Sequence, residues 1–317
     1  MLLPSGDRRR SIAWRVGDSQ VNTRRRRVGV VVAACGVGAS VLASCMSAQP
    51  PAAEPPAAQP SAAAGFETWC TPTDSGLSEL SGLAWTGDTG YAIGDRGSDD
   101  RLAVLDRACE VTGWIDVGVE TVDVEDMAVD SAGIVWLADT GDNDGERESV
   151  TLIGVDVRSD RRTSVSLRYP DGAHDVEAFA LTPTGQPVLI TKVSGGASAT
   201  IYSSDESVTG AADTVDLVRV GAVAATAADG SSRPITGAAV DADATVGALR
   251  TKKDLFVFDN ADGDVAAAFS GAPAGVVEGP DQPQGEAVAF TDAGELLLAS
   301  EADGATELPP IVFAEPN

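Results

Sequence analysis

The chain runs to 317 residues, with 48 acidic side chains against 22 basic ones and a single histidine. A net charge of -26 excludes nucleic acid and an anionic lipid surface as binding partners. One histidine excludes zinc sites built on two or three imidazoles.

Residues 24–27 are four arginines, and residues 28–43 form an apolar run too short to favour a membrane span. The run ends in Leu42, Ala43, Ser44 and Cys45, which resembles the lipobox of bacterial lipoproteins. That resemblance implies a signal peptide over 1–44, cleavage before Cys45 and lipidation of its sulfur. The other reading is an ordinary secretory signal with a chance cysteine. Residues 45–64 are rich in Pro and Ala and carry almost no large apolar side chain, so an extended, semi-rigid tether is expected. Anchor and stalk together place the remainder, 65–317, at the outer face of the cytoplasmic membrane. Cys35 would leave with the signal and Cys45 would carry lipid. Cys70 and Cys109 then read as one disulfide in an oxidising compartment, against the alternative of two separately buried thiols.

After residue 65 a short pattern recurs five times at intervals of 44 to 59 residues. A polar or acidic residue opens an apolar run, and a polar or charged residue follows about fourteen positions later. The openers are Ser81, Glu125, Glu177, Thr236 and Glu286; the answering residues are Asp95, Asp139, Lys192, Arg250 and Glu301. Between each pair lies a turn signal: 87–90 (GDTG), 130–133 (DSAG), 182–185 (TPTG), 241–244 (DADA) and 291–294 (TDAG). Two strands joined by a hairpin, with the marked residues facing each other at its open end, would read this way. Further strand-like runs follow, at 101–105, 150–155 and 255–259. The repeat spacing predicts an all-β propeller, most simply of five blades. A sixth, degenerate blade between Leu181 and Thr236 is the alternative. The runs 66–70 and 310–315 are the candidates for closing the ring.

In a ring, equivalent positions gather at one mouth of the central channel. Going round, Glu286 with Glu301, Ser81 with Asp95, and Glu125 with Asp139 make an acidic arc. Glu177 with Lys192 and Thr236 with Arg250 make a partly basic one. Like charges across a hairpin are destabilising unless screened, protonated or bridged, and a hard cation such as calcium would bridge them. The loop after Asp139 adds Asp142, Asn143 and Asp144. The candidate metal ligands are therefore Asp95, Glu125, Asp139, Asp142, Asn143, Glu177, Glu286 and Glu301. Lys192, Arg250, Ser81 and Thr236 are the candidates for holding a ligand. The plain alternative is a wet channel whose polar groups satisfy one another and ordered water. His174, beside Asp175, offers either catalysis or a fixed loop that presents Glu177.

The runs LSGLAW, DVEDMAVD, WLADTGDN, YPDGAHDVEAFAL, LITK, ALRT and QGEAVAF resemble propeller-type lipoproteins of high-GC Gram-positive bacteria, and more distantly phytase-like and SMP-30-like propellers. The first resemblance implies a propeller. The distant one implies a calcium-dependent phosphoesterase or lactonase with acidic residues at the channel mouth. Where such families carry an aromatic or small residue after ALRT, this chain has Lys252 and Lys253. The expectation is a monomeric, lipid-anchored binding module for a small anionic ligand or an extracytoplasmic protein, with calcium as the candidate cofactor. The alternative is a calcium-dependent hydrolase of an anionic ester or lactone.

Overall fold

A computed structural model describes residues 65–314, apart from 96–97, 211–212 and 228. The signal sequence, Cys45 and the tether lie outside the described residues. A short strand β1 (Glu67–Cys70) enters first. Blade one follows as β2 (Leu80–Thr86), β3 (Thr89–Gly94), β4 (Arg101–Leu105) and β5 (Val111–Asp116). Blade two contains β6 (Val124–Val129), β7 (Val135–Asp139), β8 (Val150–Asp156) and β9 (Arg161–Arg168). Blade three contains β10 (Val176–Leu181), β11 (Pro187–Thr191) and β12 (Ala199–Ser203); after β13 (Thr214–Asp216) it ends in β14 (Val218–Val223). Blade four is β15 (Ile235–Val240), β16 (Val246–Thr251), β17 (Asp254–Asp259) and, beyond helix α1 (Val265–Ser270), β18 (Gly275–Glu278). Blade five is β19 (Gln284–Phe290), β20 (Leu296–Glu301) and β21 (Ile311–Ala314), with β1 as its fourth, antiparallel strand.

The result is a five-bladed propeller in which the two ends of the described chain share one blade. Among the described residues no sixth blade occupies the interval before Thr236. Its extra length is β13, which leaves blade three to pair in parallel with β9 of blade two, and a loop before β15.

The core lies between blades. Leu83 and Trp85 of blade one pack with Ala287, Ala289 and Leu297 of blade five; Val124, Met127 and Leu137 of blade two pack with Tyr91 and Ile93 of blade one. Around the closure, Trp69 stands edge-on to Trp85 at 5.6 Å and to Phe313 at 5.5 Å between ring centroids. Cys70 and Cys109 form a disulfide with Cα atoms 5.6 Å apart. It ties the closing strand β1 to the β4–β5 hairpin of blade one. By chain-entropy reasoning such a bridge contributes about 3–4 kcal/mol.

Each hairpin predicted from the repeats is present, and its turn is set by local chemistry. In four of them the N–H of the fourth turn residue donates to the carbonyl of the first: Gly133 to Asp130, Gly185 to Thr182, Ala244 to Asp241 and Gly294 to Thr291, at 2.8–2.9 Å. That fourth residue has positive φ in every case, and only blade four puts a side chain there, at Ala244 with φ 50.

The register corrects one expectation. The openers do not face their answering residues across the hairpin. Each innermost strand carries a register shift at the opener: between Leu80 and Gly82, Val124 and Asp126, Val176 and Ala178, Ile235 and Gly237, and Gly285 and Val288. Asp139 pairs with Val124, Arg250 with Gly237, and Glu301 with Gln284. A bulge leaves its extra residue outside the ladder and re-aims its side chain. Five bulges at equivalent positions explain why these residues differ from the apolar runs they open.

Candidate functional site

Three bulges deliver acids to the end of the channel opposite the turns. Glu125, Glu177 and Glu286 are 5–7% exposed. Burial removes water from each carboxylate, and neighbouring acids add to the cost. Burial first, then Glu177, Asp123 and Asp95, push the Glu125 pKa up to about 10. Burial and then Glu177 push Glu286 up to about 8, against the pull of Lys252 and Arg250. Burial also raises Glu177, although Lys192 opposes it.

Two lysines answer the three glutamates. Lys192 Nζ is ion-paired to Glu177 Oε1 and lies 4.0 Å from Asp175 Oδ2. Burial disfavours its charge, yet Glu177 and Asp175 outweigh that and hold its pKa above the usual value. Lys252 Nζ lies 3.6 Å from Glu286 Oε1. The Glu125 carboxylate has no hydrogen bond or ion pair of this kind among the described residues. Lys192 acts on it only through its charge, which opposes the rise, and acids stand closest: carboxylate oxygens of Asp95, Asp123 and Glu125 all lie within 4.8 Å of one another. Gly141 makes this approach possible, because a β-carbon there would clash with both Glu125 and Asp123. Asn143 Nδ2 reaches Asp123 Oδ2 at 3.4 Å.

Other candidates are engaged differently. Asp139 accepts the N–H of Asp123 at 2.9 Å and Arg147 Nη1 at 3.0 Å. Asp142 accepts the N–H groups of Glu146 and Arg147, which caps its own loop. Both carboxylates hold the 139–147 loop rather than facing the acid trio. Glu301 accepts from Gln284 at the blade-five edge of the mouth. Ser81 Oγ donates to the carbonyl of Glu125 at 2.6 Å, and Thr236 Oγ1 to that of Gly285 at 3.1 Å. These hydroxyls lace blade one to blade two and blade four to blade five. Arg250 is buried, and its guanidinium donates to the carbonyls of Ala287 and Ala299 and to Gln282 Oε1. Its burial lowers its pKa to about 10. The basic arc of the mouth is therefore Lys192 with Lys252, and Arg250 is a rivet between blades four and five.

His174 fixes a loop. Its Nε2 lies 2.9 Å from Asp171 Oδ1 and 2.7 Å from the Tyr202 hydroxyl, with Tyr169 edge-on to its ring. One residue on, Asp175 accepts the Asp142 N–H through its side chain and the Lys192 N–H through its carbonyl. The loop thus positions both partners of the Glu177–Lys192 pair.

Two residues of the site lie outside the marked openers and answering residues. Asp123 stands two places before its opener, where blades one, three and five have Glu79, Asp175 and Gln284 and blade four has Pro234. Asp126 is fully buried at the axis, where its Oδ1 accepts the Met127 N–H and its Oδ2 those of Phe179 and Ala238. Burial raises its pKa well above normal, although the three backbone donors oppose this. A signal for it existed. The residue after the opener is Gly82, Ala178, Gly237 and Ala287 in the other blades, and only blade two has an acid there.

No protein-family model matches this sequence, and no curated protein sequence does. Solved structures similar to it include Kuenenia stuttgartiensis hydrazine synthase, at 8% identity and TM-score 0.45, covering 75% of this chain and 84% of that one. Another is Myxococcus xanthus glutaminyl cyclase, at 13% identity and TM-score 0.44, covering 78% of this chain and 94% of that one.

Proposed function

We propose that this protein is an extracytoplasmic, lipid-anchored binding module whose channel mouth takes up a divalent cation together with a small anionic ligand or an acidic group of a protein partner. The observation that carries the reading is Glu125: a carboxylate 5% exposed, with no hydrogen-bond donor to it among the described residues, set against Asp95 and Asp123. A buried acid in that position either holds a proton or meets a cation. Calcium takes six to eight oxygen ligands, so three carboxylates would leave positions for water and for the ligand's own oxygens. Lys192 and Lys252, partly exposed at the same mouth, would meet the anionic group. The Cys70–Cys109 disulfide supports an oxidising compartment outside the cytoplasm.

The second reading, a calcium-dependent hydrolase of an anionic ester or lactone, draws on the same trio. It is the weaker one because His174 is occupied by Asp171 and Tyr202, and no other group at the mouth is singled out as a base.

The test is thermal melting and calorimetric titration of the purified protein with calcium, with magnesium and with chelator. Calcium should raise Tm, and at about a hundredfold excess over Kd the stabilisation should approach ~2.7 kcal/mol. Glu125→Gln and Asp123→Asn should remove the effect while leaving a folded protein. The absence of both a calcium-dependent Tm shift and a binding heat would sink the reading.

A further inference from the structure

At the turn end of the axis, opposite the acidic mouth, lies a second cavity of about 450 Å3. None of Glu125, Glu177 or Glu286 lines it. Its wall repeats once per blade. Three positions past each bulge the inner strand has an alanine, and all five (Ala84, Ala128, Ala180, Ala239 and Ala289) line the cavity. The small side chains let five backbones approach the axis and still leave open space. Met127 and Ala238 line it too, and both give their N–H to Asp126, so that carboxylate marks the floor between cavity and mouth.

Near the axis the polar groups of this wall are backbone groups, and polar side chains, among them Asp130, Arg158, Asp241 and Asp292, also line the cavity. Residues two past the bulge turn their N–H toward the axis, as the donation of Met127, Phe179 and Ala238 to Asp126 shows. Residues five past the bulge turn theirs away: Asp130, Thr182, Asp241 and Thr291 donate to the carbonyl of the next strand at 3.0, 3.0, 3.0 and 2.9 Å. Backbone groups alternate along a strand. The N–H and C=O of Trp85, Val129, Leu181, Val240 and Phe290, four past the bulge, therefore face the axis, and all five residues line the cavity. The inner strands are the terminal strands of their sheets, so the ladder does not pair those groups on that side. The charged groups of the lining are engaged: Asp130 accepts the Ala132 and Ile134 N–H, Asp241 that of Val246 and Asp292 that of Gly87, while Arg158 donates to the Ala132 carbonyl.

This wall selects a chemical class. A hydrocarbon would bury donors and acceptors without partners. An ion of either sign would meet as many axial backbone dipoles of the wrong direction as of the right one, and the lining carries charges of both signs, Arg158 beside Asp130, Asp241 and Asp292. A hydroxyl both donates and accepts. We infer that the turn-end cavity is a second binding site, for a neutral polyhydroxyl molecule of monosaccharide or cyclic-polyol size. Its volume falls within the ~300–1,000 Å3 of small-molecule pockets.

The experiment titrates the full-length protein with D-glucose, myo-inositol and glycerol, with butylamine and butyrate as charged controls, by calorimetry and by hydrogen exchange. At least one neutral probe should bind with Kd of about 1 mM or tighter and slow exchange in the peptides containing Trp85, Val129, Leu181, Val240 and Phe290. Ala180→Leu should weaken binding at least about tenfold, or ~1.4 kcal/mol, by filling the space. Ala128→Val, at a half-buried alanine, is the milder variant should the first not fold. Three results would overturn the inference: no neutral probe binds the wild type, leaving water the sole occupant; a charged control binds more tightly; or a folded filled variant binds as well as the wild type.

Discussion

Asp126 and Ala238 stand 112 residues apart in the chain, yet the carboxylate of the first accepts the N–H of the second at 3.1 Å. The same oxygen takes the Phe179 N–H at 2.9 Å. One side chain of blade two thereby joins the inner strands of blades three and four across the axis. Asp126→Ala should lower the unfolding free energy by about 3 kcal/mol or more, since each buried donor left unpaired costs ~1–3 kcal/mol. Asp126→Asn retains an acceptor oxygen and should cost less. Urea denaturation of both variants measures the difference, and equal losses would contradict the bridging role.

Removing the disulfide should act through the ring closure. The double variant Cys70→Ser with Cys109→Ser releases a loop of sequence separation 39 and should cost about 4 kcal/mol. Hydrogen exchange should rise first in β1 and β21. A uniform rise over all five blades would show that the bridge does not guard the closure in particular.

Arg250→Ala should cost about 3 kcal/mol, because it strands the carbonyls of Ala287 and Ala299 and the Gln282 side chain in a buried site. Calcium affinity of the variant, measured where it is still folded, should change little. A loss of affinity with unchanged stability would return Arg250 to the mouth.

Glu286 predicts a pH dependence with a definite sign. The folded protein keeps this proton up to about pH 8, whereas the unfolded chain releases it near 4.5. Between those values the folded state binds more protons, so the stability tied to Glu286 falls as pH rises through the window and levels off above it. Glu177 and Glu301 strengthen the effect; Lys252 and Arg250 weaken it. Glu286→Gln should flatten that part of the Tm–pH curve, and a curve of unchanged slope would disprove the assignment.

Cys45→Ser should abolish incorporation of labelled fatty acid and release the protein into the medium. Retention of label on the variant would exclude Cys45 as the anchor.

Much of the architecture was legible in the chain. Five hairpins show as pairs of apolar runs around turn residues, because strand and turn chemistry are local. Ring closure by both ends of the domain and the Cys70–Cys109 bridge were legible too, as short runs and a cysteine pair with no other obvious use. The mouth was only half legible. The sequence points at Glu125, Glu177 and Glu286 through their repeat position, but a bulge cannot be read from spacing, so in the strand register Asp139 meets Val124 and Glu301 meets Gln284, while the side chains of Glu177 and Lys192 still pair. Asp123 stood two places before its opener, in line with Glu79, Asp175 and Gln284 but outside the marked pairs, and Asp126 showed only as the odd member of its position.

By itself, then, the sequence determined the repeated hairpins, their turns and the openers Glu125, Glu177 and Glu286, since each depends on neighbours within one hairpin, and it left five blades against six to the tertiary structure. The tertiary structure alone decided what those residues do. Arg250 became a rivet, Lys252 took its place at the mouth, and Asp126 became the bridge over the axis. Each outcome depends on which backbone groups and charges arrive from other blades, from 32 residues away for Arg250 and Gln282 to 112 for Asp126 and Ala238. Burial there sets whether a side chain meets water, a carbonyl or another acid.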